Sequence, residues 1–403
     1  MQIVFIHPNY PAQFGHIAQY LTRRGHEAIF VTQATTPGVP AIRRITYQLK
    51  SGATDKNHYC SRTFENTIWS SHAVYETLAA ATDLQPDLIV AHSGFGTTLF
   101  LPELFDCPII NYFEWFYHAQ GFDLDFRTDY PVAPIDRLRA RARNAMLLLD
   151  LQQCQAGYSP TYFQRSVLPN EYLPKIEVLF DGIDATLWQP GPEPNRRFGD
   201  WELPRGTKLV TYATRGMEAM RGFDLFIATA RELLARRPDI HIAIAGQDRV
   251  CYGGDTKHLG GKTLKETLFA SPQPHDDRIH FLGWMSPADL ARLFRLSHAH
   301  LYWSVPFVLS WSVFNALACG VTLIASDTAP LREVVQPGRT GLLVDFMDVD
   351  AWVEQTLRVL ERPEDFAPLG IAARQSIAEL YSYDACLPRI ERFYQRVAAR
   401  ITS

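Results

Sequence analysis

The chain has 403 residues, 47% hydrophobic and 20% charged, with 39 Lys+Arg against 43 Asp+Glu and a formal net charge of −4. At roughly 100–200 residues per domain, that length predicts two or three domains, each able to bury a core without disulfides or metals. The near-neutral balance gives no global reason to expect nucleic acid as a partner, leaving only a local basic patch, and plentiful apolar residues with unperiodic Gly and Pro exclude collagen-like and disordered classes.

The chain opens on Met1–His7, whose apolar run stops at His7 and has no basic region before it. It reads as neither a signal peptide nor a membrane span. Cys60, Cys107, Cys154, Cys251, Cys319 and Cys386 are dispersed, with no CxxC pair. They fit a reducing compartment and argue against a zinc motif, so a cytoplasmic protein is expected.

Ile3–Ile6 reads as a fully buried strand and Phe14–Arg24 as the helix after it, ended by Gly25. Ala28–Thr32, Leu88–Ala91 and Pro108–Tyr112 are further buried strands, with a helical segment Thr97–Phe105 between the last two. Ile135–Gln153 is a long helix and Ile176–Phe180 a strand. Residues 188–206 hold four Pro and three Gly without a period and read as a linker. Alternation then resumes: strands Leu209–Ala213, Ile240–Ala245, Ile279–Leu282, His300–Trp303 and Thr322–Ala325, and helices Phe223–Arg236, Pro287–Phe294, Trp311–Ala318, Ala351–Leu360 and Tyr383–Ile401. Short buried strands alternating with helices predict an α/β protein with two doubly wound, Rossmann-like domains, facing one another across a cleft.

In open α/β sheets ligands bind beyond the carboxyl ends of the strands, so the residues just after each strand are the candidates. After the first strand, Asn9 lies in a loop in which Gly15 opens a helix, either as a structural turn or as an anion site. The absence of GxGxxG disfavours dinucleotide binding. His92 follows the Leu88–Ala91 strand and can offer its imidazole there, against the alternative of a satisfied core histidine. Glu114 and Trp115 lie in the aromatic run 113–117, which reads as core packing or as a sugar-binding platform with one carboxylate. In the second half, Arg215 and Arg221 flank a Gly-bearing strand-to-helix junction, an arrangement suited to a diphosphate. Asp345, Asp348 and Asp350 lack the Gly and Glu of a calcium loop and read as helix capping. Arg137, Arg139, Arg141 and Arg143 read as solvated surface, with contact to anionic lipid as the second reading.

These motifs resemble those of retaining glycosyltransferases of the two-Rossmann (GT-B) type. The match runs through Asp181-Gly-Ile-Asp184, Arg215 with Arg221-Gly222, Ile244-Ala-Gly246, Phe281-Leu-Gly283, Ala316-Leu-Ala-Cys-Gly320, Ser326-Asp327 with Glu333, and Gly338-Arg-Thr-Gly-Leu-Leu-Val344. The resemblance implies that Arg215 and Arg221 bind the donor diphosphate and that His92 contacts the donor sugar near the reacting centre. It further implies that Gly15, Gly216 and Gln247 line the donor site. Where the family carries two Glu, this chain has Phe307 and Asn315. Asn315 can still hydrogen-bond a ribose, and the backbone N–H groups of Val308, Leu309 and Ser310 could face the sugar. Asn9, Glu114 and Trp115 are the expected acceptor contacts.

The domains implied are 1–187 for the acceptor, 188–206 as linker, 207–382 for the nucleotide-sugar, and a C-terminal helix 383–403 packing back on the first domain. The expected activity is metal-independent, retaining transfer of a hexose from a UDP- or GDP-sugar to a saccharide or lipid-linked acceptor. Polysaccharide biosynthesis is the family-level setting, with peripheral membrane contact allowed. No cofactor is expected beyond the nucleotide-sugar co-substrate, and no metal, since no Asp-x-Asp pair follows a strand at the expected place. A nucleotide-sugar 2-epimerase and a catalytically impaired partner subunit are the alternatives.

Overall fold

The computed structural model describes residues 1–35, 38–39, 41–95, 97–192 and 195–399. The chain divides into two compact units. One holds residues 1–124, 132–182 and 384–403, and the other 125–131 and 183–383.

The first unit contains β1 (Gln2–Ile6), α1 (Gly15–Arg23), β2 (Glu27–Thr32), β3 (Arg43–Thr46), α2 (Arg62–Ala79), β4 (Leu88–His92), β5 (Ile109–Tyr112), α3 (Pro134–Gln153), β6 (Ala156–Ser159), α4 (Tyr162–Ser166) and β7 (Ile176–Val178). Its seven strands form a parallel sheet in the order β3-β2-β1-β4-β5-β6-β7. Ile3, Phe5 and Ile6 are fully buried, because a strand covered on both faces needs apolar side chains throughout. The order reverses between β1 and β4, which places His7 and His92 at a topological switch point, where such sheets bind ligands. The helix expected at Thr97–Phe105 is a single 3-10 turn, Leu101–Glu103, where Pro102 offers no backbone N–H. Leu179 and Phe180 lie beyond β7, although both are buried.

The second unit contains β8 (Arg197–Phe198), β9 (Trp201–Glu202), β10 (Lys208–Gly216), α5 (Phe223–Arg236), β11 (Ile240–Gln247), α6 (Asp255–His258), α7 (Leu264–Leu268), β12 (Ile279–Gly283), α8 (Pro287–Leu296), β13 (Ala299–Tyr302), α9 (Trp311–Cys319), β14 (Leu323–Ser326), α10 (Ala329–Val334), β15 (Leu342–Val344), α11 (Val349–Glu361) and α12 (Pro363–Leu380). Six strands form a second parallel sheet, β12-β11-β10-β13-β14-β15. Asp348 caps α11 by accepting the Ala351 N–H at 3.0 Å, the role expected of that acidic run. The 188–206 stretch is not a free linker. It belongs to this unit, pairs β8 with β9, buries Trp188 and Leu203, and lays Phe198 under Arg292 at 4.3 Å.

The chain then returns to the first unit with α13 (Tyr383–Ala399). Glu391 on α13 accepts from Tyr20 at 3.0 Å and lies 3.3 Å from His26, and the Tyr158 and Tyr394 hydroxyls meet at 3.0 Å. Residues 400 and 401 of the expected last helix lie outside the described residues.

A second excursion was not legible in advance: residues 125–131 leave the first unit and pack on the second. Arg127 is buried there and donates to the Ala219 carbonyl at 2.9 Å and to Asp224 and Asp129 at 2.5 and 2.6 Å. Burial alone would lower its pKa, but the two carboxylates outweigh that and hold the guanidinium charged.

Candidate active site

In the first unit, the side chains at the ends of β1 and β4 form one cluster. His92 ends β4 and is buried. Its Nδ1 lies 2.7 Å from the Ser93 carbonyl, an acceptor only, so Nδ1 carries the proton. Nε2 is left toward Glu114, whose Oε2 is 3.7 Å away and whose side chain is half-buried. His7 packs edge-on to His92 at 5.3 Å and accepts the Asn9 N–H at 2.9 Å. Burial, with the neighbouring His92, pushes the His7 pKa down to about 3, so His7 stays neutral. The loop after His92 is tied to buried Asp150, which accepts from Ser93 Oγ at 2.8 Å, the Gly94 N–H at 3.1 Å and Thr98 Oγ1 at 3.1 Å.

Three expectations change here. Trp115 is not a platform: it is 4% exposed and packs against Phe122 and Phe163 at 6.1 and 5.9 Å. Gly15 offers no amide to an anion, because its N–H donates to the Pro11 carbonyl at 2.8 Å. A Cβ at Gly15 would sit 2.3 Å from Pro11 Cβ, so the glycine serves the turn. The arginine run on α3 is only partly solvated: Arg137 donates to the Ala119 carbonyl, and Arg139 and Arg143 lie over Tyr59 and Tyr117. Arg141 is exposed, and the Asn9 side chain is likewise exposed at the cluster's rim.

In the second unit, Arg215 and Gly216 end β10, and a short 3-10 turn, Ala219–Arg221, leads into α5. Gly222 caps that helix at φ 61, and a Cβ there would meet the Trp303 ring at 2.4 Å, so only glycine fits. Arg221 is 5% exposed. It donates to Ser304 Oγ at 2.6 Å, the Val308 carbonyl at 2.9 Å and the Tyr302 hydroxyl at 3.4 Å. Among the described residues no carboxylate pairs with it. Arg215 is exposed and donates to the Tyr252 hydroxyl at 3.2 Å.

Phe307 is buried beside Arg221, its ring 5.7 Å from that guanidinium. Val308 contributes its carbonyl, Leu309 is buried, and the Ser310 N–H is already taken by the Tyr302 hydroxyl at 3.0 Å. The expectation of a free Ser310 amide therefore fails. Asn315 on α9 is nearly buried, and its Oδ1 has no hydrogen-bond partner. Gln247 ends β11 with an exposed side chain and a carbonyl that accepts the Met217 N–H at 3.2 Å.

Residues 24–187 match the glycosyl transferase family 4 group and residues 196–376 match the glycosyl transferases group 1. The first half of the chain thus matches one glycosyltransferase family and the second half another, the group 1 enzymes. A D-inositol 3-phosphate glycosyltransferase of Gordonia bronchialis is 29% identical over 238 residues, 56% of this chain and 49% of that relative. The chain thus spans about half the length of the curated relatives it matches. Sucrose-phosphate synthase from Thermosynechococcus elongatus has a similar fold, with a TM-score of 0.75 at 18% identity over 99% of both chains. Anabaena HepE, in complex with UDP and glucose, gives a TM-score of 0.69 at 15% identity over 98% of this chain and 99% of that one. At such identities the likeness is of fold, two parallel-sheet α/β domains.

Among the described residues of this glycosyltransferase, no group of three or more His, Cys, Asp or Glu side chains is placed to hold a metal, and no helix is long and apolar enough to cross a membrane. Tyr252 and Asp255 reach the arginine loop from positions the sequence did not single out, and Glu218 within that loop binds back to them. The usable signal was the strand-end rule, since Tyr252 follows β11 by five residues.

Proposed function

We propose that this glycosyltransferase moves a hexose from a UDP- or GDP-sugar, with retention and without a metal, to a saccharide or lipid-linked saccharide acceptor. The observation that carries the reading is Arg221, a buried guanidinium at a helix start held by three neutral acceptors and, among the described residues, by no carboxylate. A buried cation without an anion costs stability, and a diphosphate supplies the missing charge with a geometry suited to the planar fork. Arg215 adds a second, solvent-exposed cation from the same loop. The UDP and UDP-glucose complexes of HepE support a uridine donor.

In the reaction the bond from the anomeric carbon to the diphosphate oxygen breaks, and an acceptor oxygen bonds to that carbon on the same face. The acceptor proton passes to the leaving phosphate oxygen. Arg215 and Arg221 neutralise the charge that develops on the leaving group, the task a metal performs elsewhere. Asn315 Oδ1 is suited to a ribose hydroxyl. Nε2 of His92 and the Glu114 carboxylate supply hydrogen bonds to sugar hydroxyls, and the exposed Asn9 adds another on the acceptor side. Six free cysteines support a reducing, cytoplasmic setting.

The test is turnover across a panel of UDP- and GDP-hexoses with a saccharide acceptor mixture. Arg215→Ala and Arg221→Ala are expected to abolish transfer, and unchanged turnover in both sinks the reading. UDP-N-acetylglucosamine without acceptor separates the epimerase alternative, since only an epimerase alters it.

A further inference from the structure

The loops after β10 and β11 are tied together by two carboxylates pointing in opposite directions along the chain. Glu218, in the first loop, is completely buried. Its Oε2 accepts the N–H groups of Cys251, Tyr252 and Gly253 at 3.1, 3.0 and 2.9 Å. Asp255, where the second loop enters α6, accepts the Ala219 N–H at 2.7 Å. The loops are close enough that a Cβ on Gly216 would lie 2.5 Å from the Arg249 carbonyl oxygen.

Burying two carboxylates next to each other is costly, and three amides around one of them offset only part of that cost. What the clamp fixes is Tyr252. Its hydroxyl accepts from Arg215, and its ring lies 5.9 Å from the Arg215 guanidinium, 5.6 Å from that of Arg221 and 5.4 Å from Phe307. Even so, Tyr252 stays 43% exposed. An aromatic ring set by a buried ionic anchor, touching both arginines and still open to solvent, is placed to meet a ligand.

Resting on the donor reading above, we propose that Tyr252 contacts the diphosphate end of the nucleotide donor and that Glu218 is the positioning residue that holds it there. The Tyr252 hydroxyl donates to a phosphate oxygen while Arg215 and Arg221 flank it. Glu218 touches no donor atom and acts through the three amides.

Calorimetric titration of the intact protein with UDP and with GDP tests this, using wild type, Tyr252→Phe, Tyr252→Ala, Glu218→Gln and the Tyr252→Ala/Glu218→Gln double variant, with a thermal melt of each. The expected result is an affinity loss of about tenfold for Tyr252→Ala, a smaller loss for Tyr252→Phe, and a loss of about the same size for Glu218→Gln. The double variant should lose no more than the worse single one, because a residue acting through another is not additive with it. A purely structural Glu218 would instead lower the melting point and give additive losses. Tyr252→Ala within twofold of wild type, or additive losses, overturns the proposal. If Glu218→Gln is unfolded, the two Tyr252 variants, at a half-exposed position, decide it alone. Failure of the wild type to bind either nucleotide overturns the donor reading itself, and with it this proposal.

Discussion

Replacing Arg221 with methionine separates a structural arginine from a ligand-binding one. The substitution keeps most of the side-chain volume and removes the charge. It leaves acceptors behind at Ser304, Val308 and Tyr302, of which Ser304 Oγ keeps a bond to the Val305 carbonyl at 2.9 Å. Acceptors stripped of a donor cost about 1–3 kcal/mol. Removing a guanidinium that is 5% exposed and has no carboxylate partner among the described residues returns a desolvation penalty of similar size, so net destabilisation should stay under about 2 kcal/mol. Nucleotide affinity should respond very differently. Two charge-assisted hydrogen bonds to a diphosphate, at about 1.5 kcal/mol each, are worth about 3 kcal/mol, or more than a hundredfold in Kd. Urea unfolding and UDP calorimetry on the same preparation measure the two effects. A large stability loss with unchanged affinity would refute the reasoning, because it would make Arg221 a brace for the 304–310 loop and nothing more.

Asp150 should leave a signature in the pH dependence of stability. Burial raises its pKa from 3.8 to about 6, against its hydrogen bonds from Gly94, Ser93 and Thr98. Between those values the folded state binds more protons than the unfolded one, so this group's contribution to stability falls as pH rises from about 4 to about 6. Compared with Asp150→Asn, the wild type should lose up to about 1.4 kcal/mol per pH unit in that window, and parallel curves would contradict the assignment. Trp115→Ala should cost about 3–5 kcal/mol in urea unfolding while leaving acceptor KM unchanged in the fraction that folds; a KM effect would restore Trp115 to the binding surface. Arg127→Ala strands Asp224 at the start of α5 and should cost about 3–5 kcal/mol, part of it recovered in the Arg127→Ala/Asp224→Ala double variant. Additive losses in that pair would show that the two side chains do not act together.

The central strands were legible because both faces of each sheet are covered: the runs at 3–6 and 88–91 are apolar throughout, and those at 209–213 and 240–245 are interrupted only by Thr211 and His241. Elements that obey other rules were not. β3 is an edge strand carrying Arg43 and Arg44, and β6 reads Ala-Gly-Tyr-Ser, so neither shows an apolar run in the sequence, although all four residues of β6 are buried. α12 contains Pro368, which argues against a helix until the surrounding packing is known. Arg215 and Arg221 could be seen in the sequence because both flank one strand-to-helix junction. Glu218 could not, because its significance lies in three amides 33–35 residues further on. The 113–117 run shows the same limit: aromatic density suits a core and a sugar platform equally, and only burial separates Trp115 from Glu114. Arg127 needed the fold for a different reason, since its segment leaves one unit to pack on the other.

The central claim is that the second unit binds a nucleotide-diphosphate donor through Arg221. A thermal-shift screen of wild type and Arg221→Met across UDP- and GDP-sugars tests it most directly. A donor at 100 times its Kd adds about 2.7 kcal/mol of stability, so at least one nucleotide-sugar should raise the wild-type midpoint by several degrees and leave the variant unmoved. No shift with any nucleotide-sugar, or equal shifts in both proteins, would contradict the account.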